Sequence, residues 1–188
     1  MKVYFVGSIS GKKLYLKNYE RIVSSLGEFG CEVIENTIKP TEEDVKSLSD
    51  EDKVKYYRKV LKWIDYSDIV VAEVSYPSIG VGHEVSVAIE KQKPVILLHV
   101  DGYSPHFMEG LKTDKLCVVK YEFDDLSNVL KDALEFASDQ QDTRFNFFIS
   151  PKIGNYLDWV SKKKRLPRAV YLRKLIEEDM KRNKDYEA

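Results

Sequence analysis

The chain has 188 residues, an apolar fraction of 43% and a formal net charge of −1, which is typical of a globular protein with a proper core. No apolar run approaches the roughly 20 residues that span a bilayer, and the first ten residues lack the pattern of a secretory signal. Cys31 and Cys117 lie far apart in apolar runs, so we expect free thiols. These properties argue against a membrane protein or a disulfide scaffold and predict a cytoplasmic location.

The first 137 residues alternate between short apolar runs and stretches with helical spacing. The apolar runs predict strands over residues 2–6, 31–34, 69–74, 94–99 and 116–121. The helical spacing predicts helices over residues 15–26, 54–66, 84–91 and 125–137, with an irregular polar segment over 36–52. This alternation predicts an α/β domain with a Rossmann-like (flavodoxin-like) parallel sheet and helices on both of its faces.

A polar linker is predicted over residues 138–143, and the pattern changes after it. Residues 144–149 alternate like a strand, and residues 151–163 and 168–182 have the spacing of two short amphipathic helices. The charge changes as well, because residues 144–188 carry a balance of +6 and the preceding residues a balance of −7. We therefore expect a small β-α-α module over 144–188 whose partner differs from that of the first domain.

The loop after the first strand, YFVGSISGKK, has the composition of a phosphate-binding turn. Gly7 and Gly11 permit close approach of the backbone to a ligand, and the hydroxyl groups of Ser8 and Ser10 add polar partners. The neighbouring lysines, Lys12 and Lys13, add positive charge. A Gly/Ser loop of this kind also fits an ordinary strand-to-helix turn, so it does not identify a site by itself.

A second informative segment, VVAEVSYPSIGVGHE, covers residues 70–84. Glu84 follows Gly80 and Gly82 at the predicted start of a helix, where the helix dipole stabilises a carboxylate. Such a carboxylate can act as a nucleophile or a base. The alternative interpretation is an ordinary favourable charge in a first helical turn.

Together the two segments resemble the nucleoside 2-deoxyribosyltransferase and 2′-deoxynucleoside 5′-phosphate N-hydrolase family. In that family the pattern AEV(T/S)xPSxGVGxE closes the sugar site and YFxGSI forms the first loop; the helix that ends in Trp63 before SDIVVAEV also fits. The resemblance covers residues 4–137. It implies an N-glycosidase or deoxyribosyltransferase that acts on (deoxy)nucleosides or their 5′-monophosphates. We expect no cofactor, and we expect no metal because no His, Cys or Asp cluster has the spacing of metal ligands.

The resemblance also implies roles for individual residues. Glu84 would attack the anomeric carbon, and Tyr4 would position its carboxylate. The substrate-binding residues would be Gly7, Ser8, Ile9, Ser10, Gly11, Ser78 and Gly80, of which the last two would hold the 5′-phosphate. Ser104 lies in a loop that resembles one reaching the phosphate site of a neighbouring subunit.

The chain departs from the family pattern at Val60, three residues before Trp63, where relatives carry an acidic aspartate that protonates the departing base. The loss of a general acid costs about 10²- to 10⁴-fold in rate. Slow catalysis, a different substrate, or binding without turnover are therefore all open. His83 is a second possible proton donor, although a lone histidine is more often structural. At Ser10 the chain also lacks the basic residue of the family's first loop, for which Lys12 or Lys13 would substitute.

The C-terminal module resembles a ribbon-helix-helix fold, on the pattern of Arg168, Tyr171, Leu172, Arg173, Leu175 and Ile176. Such a unit cannot bury its apolar residues alone, so the resemblance implies a homodimer. If the module binds DNA, Arg144 and Asn146 would contact the bases. The alternative function is thus a nucleotide-sensing DNA-binding regulator with a weakly active or inactive α/β domain; a module that only fixes oligomer geometry is the third possibility.

Overall fold

The computed structural model describes residues 1–111, 113–139, 149–164 and 168–183. The chain divides into two compact units, Met1–Asp142 and Thr143–Ala188. The described elements of the first unit are β1 (Lys2–Gly7), α1 (Lys12–Glu28), β2 (Glu32–Glu35), α2 (Glu42–Lys46), α3 (Asp50–Tyr66), β3 (Ile69–Glu73), α4 (Ile79–Glu90), β4 (Val95–His99), α5 (His106–Glu109), β5 (Leu116–Lys120) and α6 (Leu126–Asp139).

The five strands form one parallel sheet in the order β2-β1-β3-β4-β5. Tyr4 of β1 lies opposite Ile34 of β2 and Val70 of β3, so β1 and β3 are adjacent although a strand and three helices separate them in sequence. The predicted α/β fold is confirmed. Ligands bind beyond the carboxyl ends of such strands, where successive connections leave in opposite directions. In this sheet that point lies between β1 and β3.

Alternating side chains of the strands supply two separate apolar clusters. On one face Val3 and Phe5 of β1 pack with residues of α1 and α6. On the other face Tyr4 and Val6 pack with residues of α3 and α4. The central strands β3 and β4 are buried along their whole length, as the continuous apolar runs predict.

The segment over 36–52, predicted to be irregular, contains α2 and the first turn of α3. Thr41 begins α2 with a capping box, in which its side chain accepts a hydrogen bond from the Asp44 backbone N–H and the Asp44 carboxylate accepts one from the Thr41 N–H. Ser49 caps α3 in a similar way by accepting from the Asp52 N–H. The prediction was wrong because the polar residues of this segment cap helices. The short helix α5 was not predicted either.

The second unit contains the helices α7 (Pro151–Lys164) and α8 (Arg168–Arg182), which the sequence predicted. Leu157, Val160 and Tyr171 form a small buried cluster between them, and Arg168 makes an ion pair with Asp158. The predicted strand over 144–149 lies outside the described residues apart from its last residue.

Among the described residues, no helix combines the length and the apolar character that crossing a membrane requires.

Candidate active site

A cleft of about 260 Å³ opens at the carboxyl ends of β1 and β3. Four segments contribute to it: the end of β1 with its loop, the segment after β2, helix α3, and the start of α4. Its lining residues are Tyr4, Val6, Gly7, Ser8, Ile9, Ser10, Asn36, Thr37, Val45, Tyr56, Ser78, Gly80, Val81 and Glu84. Two motifs that are far apart in sequence, the first loop and residues 78–84, therefore meet in one site.

The centre of the cleft is a hydrogen bond between Tyr4 and Glu84. The Tyr4 hydroxyl donates to Glu84 Oε2 over 2.7 Å. Tyr4 is only 2% exposed, and its ring lies 5.9 Å from that of Trp63, so the phenol is firmly held. The tyrosine fixes one carboxylate oxygen of Glu84.

Helix α4 begins five residues earlier than the sequence suggested. It starts at Ile79, and Ser78 caps it by accepting a hydrogen bond from the Val81 N–H. Glu84 therefore lies in the second turn, so the prediction that the helix amino end stabilises its charge was wrong: the dipole effect fades beyond the first turn. Ser78 and Gly80 lie at the amino end and border the cleft.

Burial dominates the electrostatics of this pair. Loss of solvent raises the pKa of Glu84 to about 7, and the hydrogen bond from Tyr4 opposes that rise. Burial and the neighbouring Glu84 charge raise the pKa of Tyr4 well above its ordinary value, so Tyr4 remains a hydrogen-bond donor at all relevant pH. A carboxyl group with a pKa near neutrality is typical of catalytic sites.

The first loop presents its backbone and two serines to the cleft. Gly7, Ser8, Ile9 and Ser10 line the cleft, whereas Gly11 lies outside the lining. Gly11 instead donates its backbone N–H to Ser8 Oγ over 3.1 Å, which closes the turn.

Tyr19 explains why this loop needs glycine. A Cβ atom added at Gly7 would lie 2.9 Å from the Tyr19 ring. One added at Gly11 would lie 2.7 Å from Tyr76 Cβ and 2.8 Å from the Tyr19 hydroxyl. Tyr19 is fully buried, and its side chain packs so closely against Gly7 and Gly11 that it restricts the conformation of the loop.

The two lysines after the loop do not supply charge to the cleft. The Lys12 ammonium group donates to the carbonyl oxygens of Ile38 and Pro40, and Lys13 makes an ion pair of 3.3 Å with Glu42. The idea that either lysine replaces the family's basic residue at Ser10 is wrong for this arrangement, because both hold the segment before and within α2 instead.

Val60, at the position of the family's acidic residue, is 4% exposed and packs in the apolar cluster of α3 and α4. The nearby aspartates do not replace it. Asp65 makes an ion pair with Lys91 over 2.7 Å, and Asp68 accepts from the Lys2 backbone N–H over 2.8 Å. Glu84 is the sole carboxylate in the described lining of the cleft.

A second cavity, of about 170 Å³, lies between α3 and α4 and borders Glu84 from the other side; we call it the α3–α4 slot. Its lining residues are Tyr56, Tyr57, Val60, Leu61, Ile64, Gly80, His83, Glu84 and Val87. His83 belongs to this slot and not to the lining of the cleft. Tyr56, Gly80 and Glu84 border both spaces.

Six residues of the cleft were missed from the sequence: Val6, Asn36, Thr37, Val45, Tyr56 and Val81. Thr37 accepts a hydrogen bond from the Gly7 N–H over 3.2 Å, and Asn36 hydrogen-bonds Tyr56, which limits the rise that burial causes in the pKa of that tyrosine. Asn36 and Thr37 follow β2 directly, so their place beyond a strand end was the available signal.

Ser104 does not line the cleft. It lies in a wider, open depression next to α5, where its hydroxyl donates to Glu109 over 2.5 Å. Ser78 and Val81 border both the depression and the cleft. Within one chain, Ser104 is therefore separate from Glu84.

A buried carboxyl group braces the site from behind. Glu73, at the end of β3, is fully buried and accepts hydrogen bonds from the hydroxyl groups of Ser75 and of Tyr121 (3.1 Å). Ser75 in turn accepts from the Val100 N–H over 2.9 Å, so Glu73 links the loops after β3 and β4. Burial raises its pKa, and its Oε2 atom has no hydrogen-bond partner among the described residues.

The predicted DNA-contacting residues and the arrangement of metal-ligand side chains remain to be considered. Arg144 and Asn146 fall outside the described residues. Among those that are described, no group of three or more His, Cys, Asp or Glu side chains has the arrangement of a metal site.

Comparison with known proteins identifies relatives of the first unit. Residues 3–145 match the family model of nucleoside 2-deoxyribosyltransferase. A putative 2′-deoxynucleoside 5′-phosphate N-hydrolase 1 of Syntrophotalea carbinolica is 35% identical over 136 residues, which are 71% of this chain and 94% of the relative. The 5-hydroxymethyl-dUMP N-hydrolase of Danio rerio is 31% identical over 143 residues, or 72% of this chain and 96% of the relative.

Among solved structures, the CMP N-glycosidase BcmB of Clostridium botulinum aligns with a TM-score of 0.51 and 20% identity. The alignment covers 70% of this chain and 98% of the other. At this identity the likeness concerns the fold alone.

Proposed function

The protein belongs to the nucleoside 2-deoxyribosyltransferase family, and on that premise we propose that it hydrolyses the N-glycosidic bond of 2′-deoxynucleoside 5′-monophosphates with Glu84 as its nucleophile. The observation that carries the proposal is the 2.7 Å hydrogen bond from Tyr4 to Glu84 in a cleft at the carboxyl ends of β1 and β3. Curated relatives that align along most of their length carry N-hydrolase names, which supports hydrolysis over transfer.

In the first step, a carboxylate oxygen of Glu84 bonds to C1′ of the sugar, and the bond between C1′ and the base nitrogen breaks with its electron pair on the base. Tyr4 holds Oε2 and so leaves Oε1 to face the sugar. In the second step, water attacks C1′ and releases the Glu84 carboxylate, and the proton that the water loses balances the one that the departing base takes up. The products are the free base and deoxyribose 5-phosphate.

In this proposal the 5′-phosphate binds at the amino end of α4. Ser78 and Gly80 lie at that end, and Ser8 and Ser10 line the same cleft. The backbone N–H groups at a helix amino end and serine hydroxyl groups can bind an anion even where no lysine is present. This arrangement favours a nucleotide over a neutral nucleoside.

A second copy of the chain would complete this phosphate site. The Ser104 loop lies apart from the cleft of its own chain, while Phe107 beside it is 90% exposed and Ile79 at the start of α4 is 96% exposed. These apolar side chains suit contact with another subunit, whose Ser104 would then reach the phosphate. The proposal is therefore a homodimer.

The C-terminal unit is proposed to support the same assembly as a ribbon-helix-helix-like module. Its two described helices leave large apolar side chains exposed, among them Ile153, Tyr156 and Trp159. DNA contact by Arg144 and Asn146 is the alternative role. A nucleotide-sensing regulator is not favoured, since the relatives of the first unit carry enzyme names. Salt-sensitive DNA binding that is lost in Arg144→Ala would support that role, and no binding at modest salt would refute it.

The deciding experiment measures free base released from a panel of 2′-deoxynucleosides, ribonucleosides and their 5′-monophosphates. The proposal expects release from the deoxynucleotides, with little from the nucleosides, and loss of it in Glu84→Gln. Glu90→Gln is the matched control, because Glu90 is an exposed glutamate at the end of the same helix. Release that persists in Glu84→Gln would contradict the assignment of the nucleophile.

A further inference from the structure

The slot between α3 and α4 has no role in the reaction described so far, although it shares Glu84 with the cleft. A sugar whose C1′ carbon meets Glu84 in the cleft carries a base attached to that same carbon. The base must therefore lie close to Glu84, and the slot is the apolar space that adjoins it.

The slot has the size and the lining for one flat six-membered ring. Its walls include the apolar side chains of Val60, Leu61, Ile64 and Val87. Its volume is about 170 Å³, and a protein cavity of about 150 Å³ with apolar walls holds a benzene ring. A pyrimidine is one such ring, whereas a purine has a second, fused ring and needs more space.

Polar groups stand at the open side of the slot. Tyr57 and His83 are both exposed, their rings stack at 5.7 Å, and the Tyr57 hydroxyl shares a hydrogen bond of 3.2 Å with His83 Nε2. A ring whose apolar face enters the slot would keep its carbonyl or amino edge near this pair. His83 and Glu84 both line the slot, so a base held there would lie near both side chains.

The leaving base needs a proton, and the cleft offers no second carboxyl group among its described residues. Histidine is the side chain that most often acts as a general acid in enzymes. Within the described lining of the slot, His83 is the basic side chain. The position of the lost acid, Val60, borders the same slot.

We propose that the α3–α4 slot binds the base and selects single-ring pyrimidines, and that His83 donates the proton that the departing base requires. This inference rests on the proposed function of Glu84. As the bond from C1′ to the base breaks, an imidazolium N–H of His83 gives its proton to the base, which leaves neutral. In the second step the neutral imidazole takes a proton from the attacking water, and the starting state is restored.

The first test compares base release from dCMP, dUMP and dTMP with release from dAMP and dGMP by the intact protein. The slot predicts kcat/KM values at least about tenfold higher for the pyrimidines, a typical discrimination by pocket shape. Val60→Ala widens the slot and is expected to lower this ratio. Val85→Ala, which removes buried volume from the same cluster but does not line the slot, is expected to leave it unchanged. Equal or better release from purines, or a ratio that both variants change alike, would overturn the selection.

The second test uses His83→Gln with dUMP and 5-fluoro-dUMP. Fluorouracil is the better leaving group and needs less help from an acid. We expect a loss in kcat of about 10²- to 10⁴-fold for dUMP, a much smaller loss for 5-fluoro-dUMP, and little change in KM. A loss of equal size for both substrates would indicate a structural role and would refute proton donation.

Failure of the proposed function gives a different result. If no nucleotide releases its base, the hydrolase proposal and the role of His83 fall together. Calorimetric titration with dCMP and dAMP then judges the slot alone: tighter binding of dCMP supports it, and equal or tighter binding of dAMP refutes it.

Discussion

Replacement of Tyr4 by phenylalanine separates the role of its hydroxyl group from that of its ring. The hydrogen bond to Glu84 stabilises the carboxylate and opposes the effect of burial, which otherwise raises the pKa of Glu84. A hydrogen bond to a charged group contributes about 1.5–3 kcal/mol, which corresponds to roughly one to two pKa units. The pKa of Glu84 should therefore rise from about 7 to about 8–9 in Tyr4→Phe.

The nucleophile must be ionised, so activity falls as the pH drops below the pKa of Glu84. At pH 7 the ionised fraction would decrease from about one half to between about one tenth and one hundredth, a loss of roughly 5- to 50-fold in kcat/KM. The acidic side of the pH profile should therefore lie at higher pH in Tyr4→Phe than in the wild type. The measurement is kcat/KM for base release between pH 5 and 10, with thermal unfolding to verify the fold.

Tyr56→Phe is the matched control. Tyr56 lines the same cleft and its pKa is raised by the charge of Glu84, but its hydrogen-bond partner is Asn36. In Tyr56→Phe, the pH at which kcat/KM falls on the acidic side should stay near that of the wild type. The described lining of cleft and slot has no lysine or arginine that would hold Glu84 ionised instead. If the acidic side of the pH profile of kcat/KM stays in place or moves to lower pH in Tyr4→Phe, Tyr4 does not stabilise the ionised form of Glu84.

Three further predictions concern stability and assembly. The pKa of Glu84 is raised from 4.5 to about 7, so the stability that its protonated form provides is present below the ordinary carboxyl pKa and is lost as the pH rises through about 7. Glu84→Gln should flatten this part of a plot of unfolding temperature against pH. An unchanged slope would contradict this expectation. Glu73→Gln keeps an acceptor for Ser75 and Tyr121 and should be tolerated, whereas Glu73→Leu leaves both hydroxyls without their acceptor and should lower the free energy of unfolding by about 2–4 kcal/mol; similar denaturant midpoints for the two variants would argue against the bracing role. A chain that ends at residue 142 should sediment as a smaller assembly or a weaker dimer than the full chain; an identical sedimentation profile across a dilution series would exclude a role of the C-terminal unit in assembly.

The sequence predicted the sheet and the two halves of the candidate site for physical reasons that act locally. Continuous apolar runs such as residues 69–74 become buried parallel strands, and the carboxyl ends of parallel strands meet at one edge. The start of α4 was missed because Gly80 and Gly82 are poor helix formers. Burial of Val81 and Val85 and the cap from Ser78 outweigh that local cost.

Other parts of the site depend on contacts between segments that no local pattern records. Lys12 looked like a phosphate ligand, but two backbone carbonyl groups after β2 take its ammonium group. Tyr56 enters the site only because α3 crosses beside α4, and the slot exists only between these two helices. Residues 36–52 were predicted to be irregular because serines, threonines and acidic residues are common in loops. In the structure, Thr41 and Ser49 cap helices instead.

Tyr19 also restricts how this site can diversify during evolution. Any side chain added at Gly7 or Gly11 meets Tyr19. Point substitutions at these two glycines cannot adjust substrate preference without a compensating change at a second position. New preferences are therefore more readily acquired on the opposite wall, where Asn36, Tyr56 and the slot residues project side chains that single substitutions can alter. A lineage of such proteins would keep its sugar chemistry while it exchanges one base for another.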